Sequence, residues 1–145
     1  MLSKVLFEKK TTRRLLALCW ALLIGLLSTR VQVNAPQLWS DWLAPDKVAH
    51  FLTYALLAWL TIRAWPGSGH KPSLIQLTAT ALACSLYGLW WEIVQFRFFP
   101  DRHFEWADMT ANVLGVFAGL FFFVTFIRRT KPAVLKARSS FFKPL

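Results

Sequence analysis

The chain is short of acid. Its 145 residues hold seven Asp and Glu against seventeen Lys and Arg, for a formal charge of +10. Charged residues are 17 % and apolar residues 56 % of the whole, where soluble domains run to roughly 25 % and 45–50 %. A solvated globular surface does not fit that balance. Cysteine is scarce too: Cys19 and Cys84 stand alone inside apolar stretches, with no CxxC spacing. This excludes a disulfide framework and a cysteine zinc site, and each thiol is expected to act as a small buried hydrophobe. The phosphate-binding glycine loops GxGxxG and GxxxxGK[ST] are absent, as is HExxH, and so are internal repeats and low-complexity tracts. No basic–aromatic module accompanies the positive charge, so nucleic acid is not an expected partner.

What the chain has in quantity is aromatic and aliphatic side chain, including eight Trp and thirteen Phe. Four apolar segments stand out, at 15–29, 48–65, 74–96 and 106–127, of 15, 18, 23 and 22 residues. A helix crossing a bilayer core of roughly 30 Å needs about 20. Val31 and Val33 can lengthen the first segment, and Arg13 and Arg14 can snorkel at its start. The expected fold is an all-α polytopic bundle of four transmembrane helices, at about 15–33, 47–65, 74–96 and 106–127. A basic arm (1–14) and a basic tail (128–145) flank this one domain. "VNA" at 33–35 would suit a signal-peptide cleavage, but Pro36 follows it and Arg30 interrupts the approach. The first segment is therefore read as a retained helix.

Charge gives the orientation. Five Lys and Arg precede residue 15, Arg63 and Lys71 flank the 63–73 loop, and six follow residue 127, which is 13 of 17. The positive-inside rule then puts both termini and the middle loop in the cytoplasm. Six of the seven acids (Asp41, Asp46, Glu92, Asp101, Glu105, Asp108) fall on or near the other side. There, "PQLWSDWLAP" carries Trp39 and Trp42, whose indoles suit the headgroup level. The cytoplasmic "PGSGHKPS" is a Gly/Pro turn. Six tail cations can attract anionic lipid, at about 1 kcal/mol each near the surface, so membrane lipids are expected partners.

The polar residues are not scattered. Asp46, His50 and Tyr54 recur at i, i+4, i+8 in "DKVAHFLTY", so they share one helix face. Gly88, Glu92 and Gln95 make a second stripe, and Asp108, Asn112, Gly115 and Gly119 a third. All three polar ends fall at the outer boundary. Ionisable groups avoid lipid and turn toward one another, which predicts a shallow polar pocket. Gly115 and Gly119, in small-xxx-small spacing, let a neighbouring helix approach just below it.

Several roles suit these residues. Asp46, Glu92 and Asp108 can pair with Lys47, Arg102 and His50 simply to pin helix ends. Gln95 and Asn112 can be hydrogen-bond glue, and Asp46, after Pro45, can cap the second helix. In acid–base chemistry, His50 would be tuned by Glu92 or Asp108, with Lys47 or Arg102 holding an anion. One His with dispersed carboxylates and no paired ligand motif is a weak metal signal, and no metal or cofactor is expected. Proton-coupled transport is disfavoured by the lack of an inverted repeat and of polar residues deep in the fourth segment. Thr53 and Thr110 carry no nucleophile-elbow motif.

At these positions the sequence resembles the VanZ-like family of small bacterial membrane proteins. The likeness rests on "DKVAHF" with Tyr54, on "EIVQ", and on Pro100, Arg102, Asp108, Asn112, Gly115 and Gly119. It runs from Asp46 to Gly119. Many relatives carry Gly between the loop Pro and Arg, where this chain has Asp101. The resemblance implies an integral protein of the bacterial cytoplasmic (inner) membrane. It also implies a cell-envelope role, since the founding member is linked to resistance to teicoplanin, a lipid-tailed glycopeptide. The leading expectation is an outward polar site that binds or processes an anionic envelope lipid, peptide precursor or lipoglycopeptide. His50, Glu92 and Asp108 would be the reactive core, with Asp46, Lys47, Tyr54, Gln95, Arg102 and Asn112 binding substrate. The alternative is a non-catalytic assembly or lipid-binding module whose polar cluster is structural.

Overall fold

A computed structural model describes residues 2–30, 44–65, 72–99 and 104–141, with side chains placed for 10–29, 44–65, 72–99 and 104–125. Among the described residues all regular structure is helical. The helices are α1 (Leu2–Arg30), α2 (Pro45–Ala64), α3 (Leu74–Phe98) and α4 (Trp106–Phe141). α1 begins earlier and α4 ends later than their apolar segments, because helix continues through the flanking basic residues. Three stretches are long and apolar enough to cross a membrane: Lys10–Thr29, Leu74–Phe98 and Trp106–Thr125. α2 is not among them. Asp46, Lys47, His50 and Arg63 dilute its 20 residues, so apolarity alone supports three spans where four were expected.

Local chemistry explains the helix starts. Ser73 begins α3 with a capping box: its Oγ accepts from the Gln76 N–H at 3.2 Å, and Gln76 Oε1 accepts from the Ser73 N–H at 3.0 Å. Two orphan donors are thereby satisfied. Pro45 occupies the first helical turn of α2, where its missing N–H is harmless. The N-cap is Ala44, with no side-chain bond, so Asp46 is not the cap the sequence suggested. It sits in the first turn and turns its carboxylate to Lys47 instead.

α2 packs chiefly against α4, and glycine makes that contact possible. A Cβ on Gly115 would fall onto the backbone carbonyl of Phe51, and one on Gly119 onto that of Ala55. The two backbones touch there, as the small-xxx-small spacing predicts. Beneath lies a core of Tyr54, Leu57, Ile62, Cys84, Val116 and Leu120, among others. α1 lies outside against α2 and α3, held by Trp20 Nε1 donating to Thr53 O at 3.0 Å and Tyr87 Oη donating to Ala21 O at 2.6 Å.

The outer faces are apolar: Leu18, Leu22 and Leu26 on α1, Leu82 and Leu86 on α3, Phe117 and Phe121 on α4 are all exposed. Lys47, Glu92, Gln95, Asp108 and Asn112 are buried. A polar interior beneath an apolar exterior is the arrangement a hydrocarbon solvent selects. Cys84 is buried as expected, whereas Cys19 is exposed on the outer side of α1, where lipid would cover it.

Candidate functional site

The start of α2, the end of α3 and the start of α4 meet at one end of the bundle, and each delivers its polar stripe there. On α2 the inward face is Lys47, His50 and Tyr54. Lys47 is only 7 % exposed. Its Nζ lies 2.7 Å from Asp46 Oδ2, 2.7 Å from Asp108 Oδ1 and against Glu105 Oε2. One ammonium therefore joins the first turn of α2 to the first turn of α4 and to the residue preceding it. Glu105 itself receives the N–H groups of Asp108 and Met109 on its carbonyl, at 3.1 and 3.2 Å. The start of α4 is thus tied to Lys47 by side chain and to its own helix by backbone.

Glu92 comes from α3, one of an unbroken buried stripe of Thr80, Cys84, Gly88, Glu92 and Gln95. It is 3 % exposed, and its carboxylate accepts the Glu105 backbone N–H. An anion at that point also lies at the N-terminal, positive end of the α4 dipole. No Lys, Arg or His forms an ion pair with it among the described residues.

His50 is half-buried between these acids. Its Nδ1 lies 3.0 Å from Asn112 Oδ1. A carbonyl oxygen only accepts, so Nδ1 carries the hydrogen of that bond. Nε2 then points at Asp108 Oδ2, 3.7 Å away, which is too far for a hydrogen bond. One donor atom each from His50, Glu92 and Asp108 lies within 4.8 Å of the other two. Asn112 is 1 % exposed and packs beside Tyr54. Both lie close to Gly88, since a Cβ there would stand 3.1 Å from the Tyr54 ring and 3.2 Å from Asn112 Nδ2.

Six of the nine expected site residues converge directly: Asp46, Lys47, His50, Glu92, Asp108 and Asn112. Tyr54 lies just beneath them. Gln95 is drawn to the α1–α3 seam, where Nε2 donates to Ser28 O at 2.8 Å. Arg102 lies outside the described residues. Glu105 was missed by the sequence reading; its signal was its position directly before α4, three residues ahead of Asp108. Within the cluster four carboxylates face one ammonium and one imidazole. An anion approaching Lys47 therefore meets Asp46, Glu105 and Asp108 around the same nitrogen. A cleft of about 250 Å³ opens beside Lys47 between α2 and α4, walled by Val48, Phe51, Ala107, Ala111 and Leu114.

The geometry suits proton transfer and cation binding better than capture of an anion by Lys47. No curated protein and no solved structure gave a significant match to the chain. The VanZ/LLP1 family model matches residues 8–128, and with that match over apolar, span-length helices the chain belongs to the VanZ/LLP1 family as a VanZ-like membrane protein.

Proposed function

We propose that the protein is a cell-envelope protein of the bacterial inner membrane. In this reading α2 spans the bilayer with the other three helices, both termini are cytoplasmic, and the polar cluster opens to the outer face. It takes the polar headgroup of an envelope lipid or peptide precursor, and His50, Glu92 and Asp108 move its protons. The observation that carries this is the meeting of His50, Glu92 and Asp108, from three helices, at one end of the bundle. The apolar cleft beside Lys47 supports a lipid, since a chain lying along Phe51, Ala111 and Leu114 would bring its headgroup to the cluster. Lys47 holds Asp108 and Glu105 in register, and contact with an anionic headgroup falls to Arg102. Processing or sequestering such a molecule would give tolerance to a lipid-tailed glycopeptide.

A second reading has its own support. Lys47 touches three carboxylates and Gln95 bonds to Ser28 O across helices, so the cluster also suits a purely structural clamp in a non-catalytic module. Glycopeptide susceptibility of cells carrying Glu92→Gln and His50→Ala separates the two. Chemistry predicts lost tolerance with normal abundance in the membrane. A clamp predicts that tolerance and abundance fall together. Alkaline phosphatase fused at residue 102 is expected to be active, and at the C-terminus inactive; the reverse pattern would overturn the outward-facing site.

A further inference from the structure

Each member of the His50–Glu92–Asp108 trio also has a neighbour outside the trio. Asn112 Oδ1 holds His50 Nδ1 and leaves Nε2 free. Lys47 holds Asp108 Oδ1 at 2.7 Å and leaves Oδ2 facing His50. The Glu105 N–H holds the Glu92 carboxylate, which has a second oxygen to offer. In protein metal sites contacts from outside the ligand set, such as the bond on His50 and the ion pair on Asp108, help to fix the tautomer and aim of the ligands.

The inward atoms are in want of a cation. His50 Nε2 faces Asp108 Oδ2 across 3.7 Å, too long for a hydrogen bond and wide enough for a cation to bridge the two. Glu92, 97 % buried, has no cationic side chain against it among the described residues. Tetrahedral zinc, at ligand distances of 2.0–2.2 Å, spaces its donors about 3.3 Å apart. From within 4.8 Å of one another the donor atoms would have to close by up to about 1.5 Å to reach that spacing.

A second acidic group nearby makes the contrast. Asp46, Glu105 and Asp108 also bring one oxygen each within 4.8 Å, but the Lys47 ammonium already contacts all three. The trio has no such ammonium at its centre. We propose that His50, Glu92 and Asp108 bind one divalent cation of the zinc class, one imidazole nitrogen and two carboxylates leaving a fourth position open. Dispersed along the chain, the three gave no ligand motif; the helix packing creates the set. This assignment goes beyond the proposed function and alters one part of it, because with a cation bound His50, Glu92 and Asp108 act as its ligands and not as proton carriers; zinc binding and glycopeptide tolerance are read separately, so either can fail alone.

The test is Zn²⁺ titration of tag-free protein in detergent after chelator treatment, followed by calorimetry. One saturable equivalent is expected. His50→Ala and Glu92→Gln should each weaken binding by about 100-fold, while Cys19→Ala with His70→Ala, which removes adventitious ligands elsewhere, should leave it unchanged. Absence of saturable binding, or binding untouched by His50→Ala, overturns the assignment. Should the variants not accumulate, X-ray absorption at the zinc edge of the wild-type protein decides. One imidazole with oxygen donors is expected, and a six-oxygen shell or any sulfur donor would refute the site.

Discussion

Removing Lys47 tests whether the cluster is held by one buried ammonium. Its side chain and that of Asp108 are each 9 % exposed, and the two lie 2.7 Å apart. At an effective dielectric of 20 their attraction is about 6 kcal/mol, offset by several kcal/mol of desolvation per ion. Lys47→Met removes the attraction but leaves Asp108 desolvated, so the expected loss is about 3–5 kcal/mol. The other two partners contribute little, because Asp46 is 31 % and Glu105 53 % exposed and such pairs yield about 0–1 kcal/mol each. Most of the loss should therefore vanish when Asp108 no longer carries charge. In an Asp108→Asn background, Lys47→Met should remove under about 2 kcal/mol, from the two remaining pairs. The measurement is reversible unfolding of detergent-solubilised protein in increasing SDS, followed by far-UV circular dichroism as a double-mutant cycle. Equal losses in both backgrounds would refute the reasoning, since they would mean that Lys47 acts through its packing and not through Asp108.

The helix contacts make further forecasts. Gly119→Ala drives a methyl into the Ala55 carbonyl, and parting two backbones should lower stability by about 1–3 kcal/mol or more; Gly88→Ala, which meets only side-chain atoms at 3.1–3.3 Å, should lower the melting temperature less, and the opposite ranking would contradict the packing. Tyr87→Phe removes the 2.6 Å bond to Ala21 O and should weaken the α1 seam by about 0.6 kcal/mol, at most about 1.7, seen as a small shift in the same unfolding curve. Ser73→Ala breaks the capping box and should destabilise α3 by about 1 kcal/mol, with faster amide exchange confined to the first turn of α3 as its signature.

Much of this site could be read along the chain. The i, i+4 spacing of Gly88 and Glu92, and of Asp108 and Asn112, follows from a helical period of 3.6, and both stripes are buried where they were expected. The capping box at "SLIQ" is equally legible as the S-x-x-Q pattern. Lys47 was harder. By sequence it reads as a cation for an anionic ligand, and nothing in "DKVAHF" says that Glu105, 58 residues on, helps to surround it. Asp46 looked like an N-cap by its neighbour Pro45, but the cap is Ala44, two residues earlier, and Lys47 claims the Asp46 carboxylate.

Composition and spacing by themselves determined that the chain is helical, apolar outside, and polar along one stripe of each of three helices. Those are properties within a segment, governed by hydropathy and by the turn of a single helix. Which stripes face one another, and how closely, is a property between segments. It depends on the rotation and separation of α2 and α4, decided where Gly115 and Gly119 admit the backbones of Phe51 and Ala55. That close approach lets His50 come within reach of Asn112 and Asp108. It turns three separate polar stripes into one cluster, because charge and ligation fall off over a few ångströms while the chain between these residues is tens of residues long.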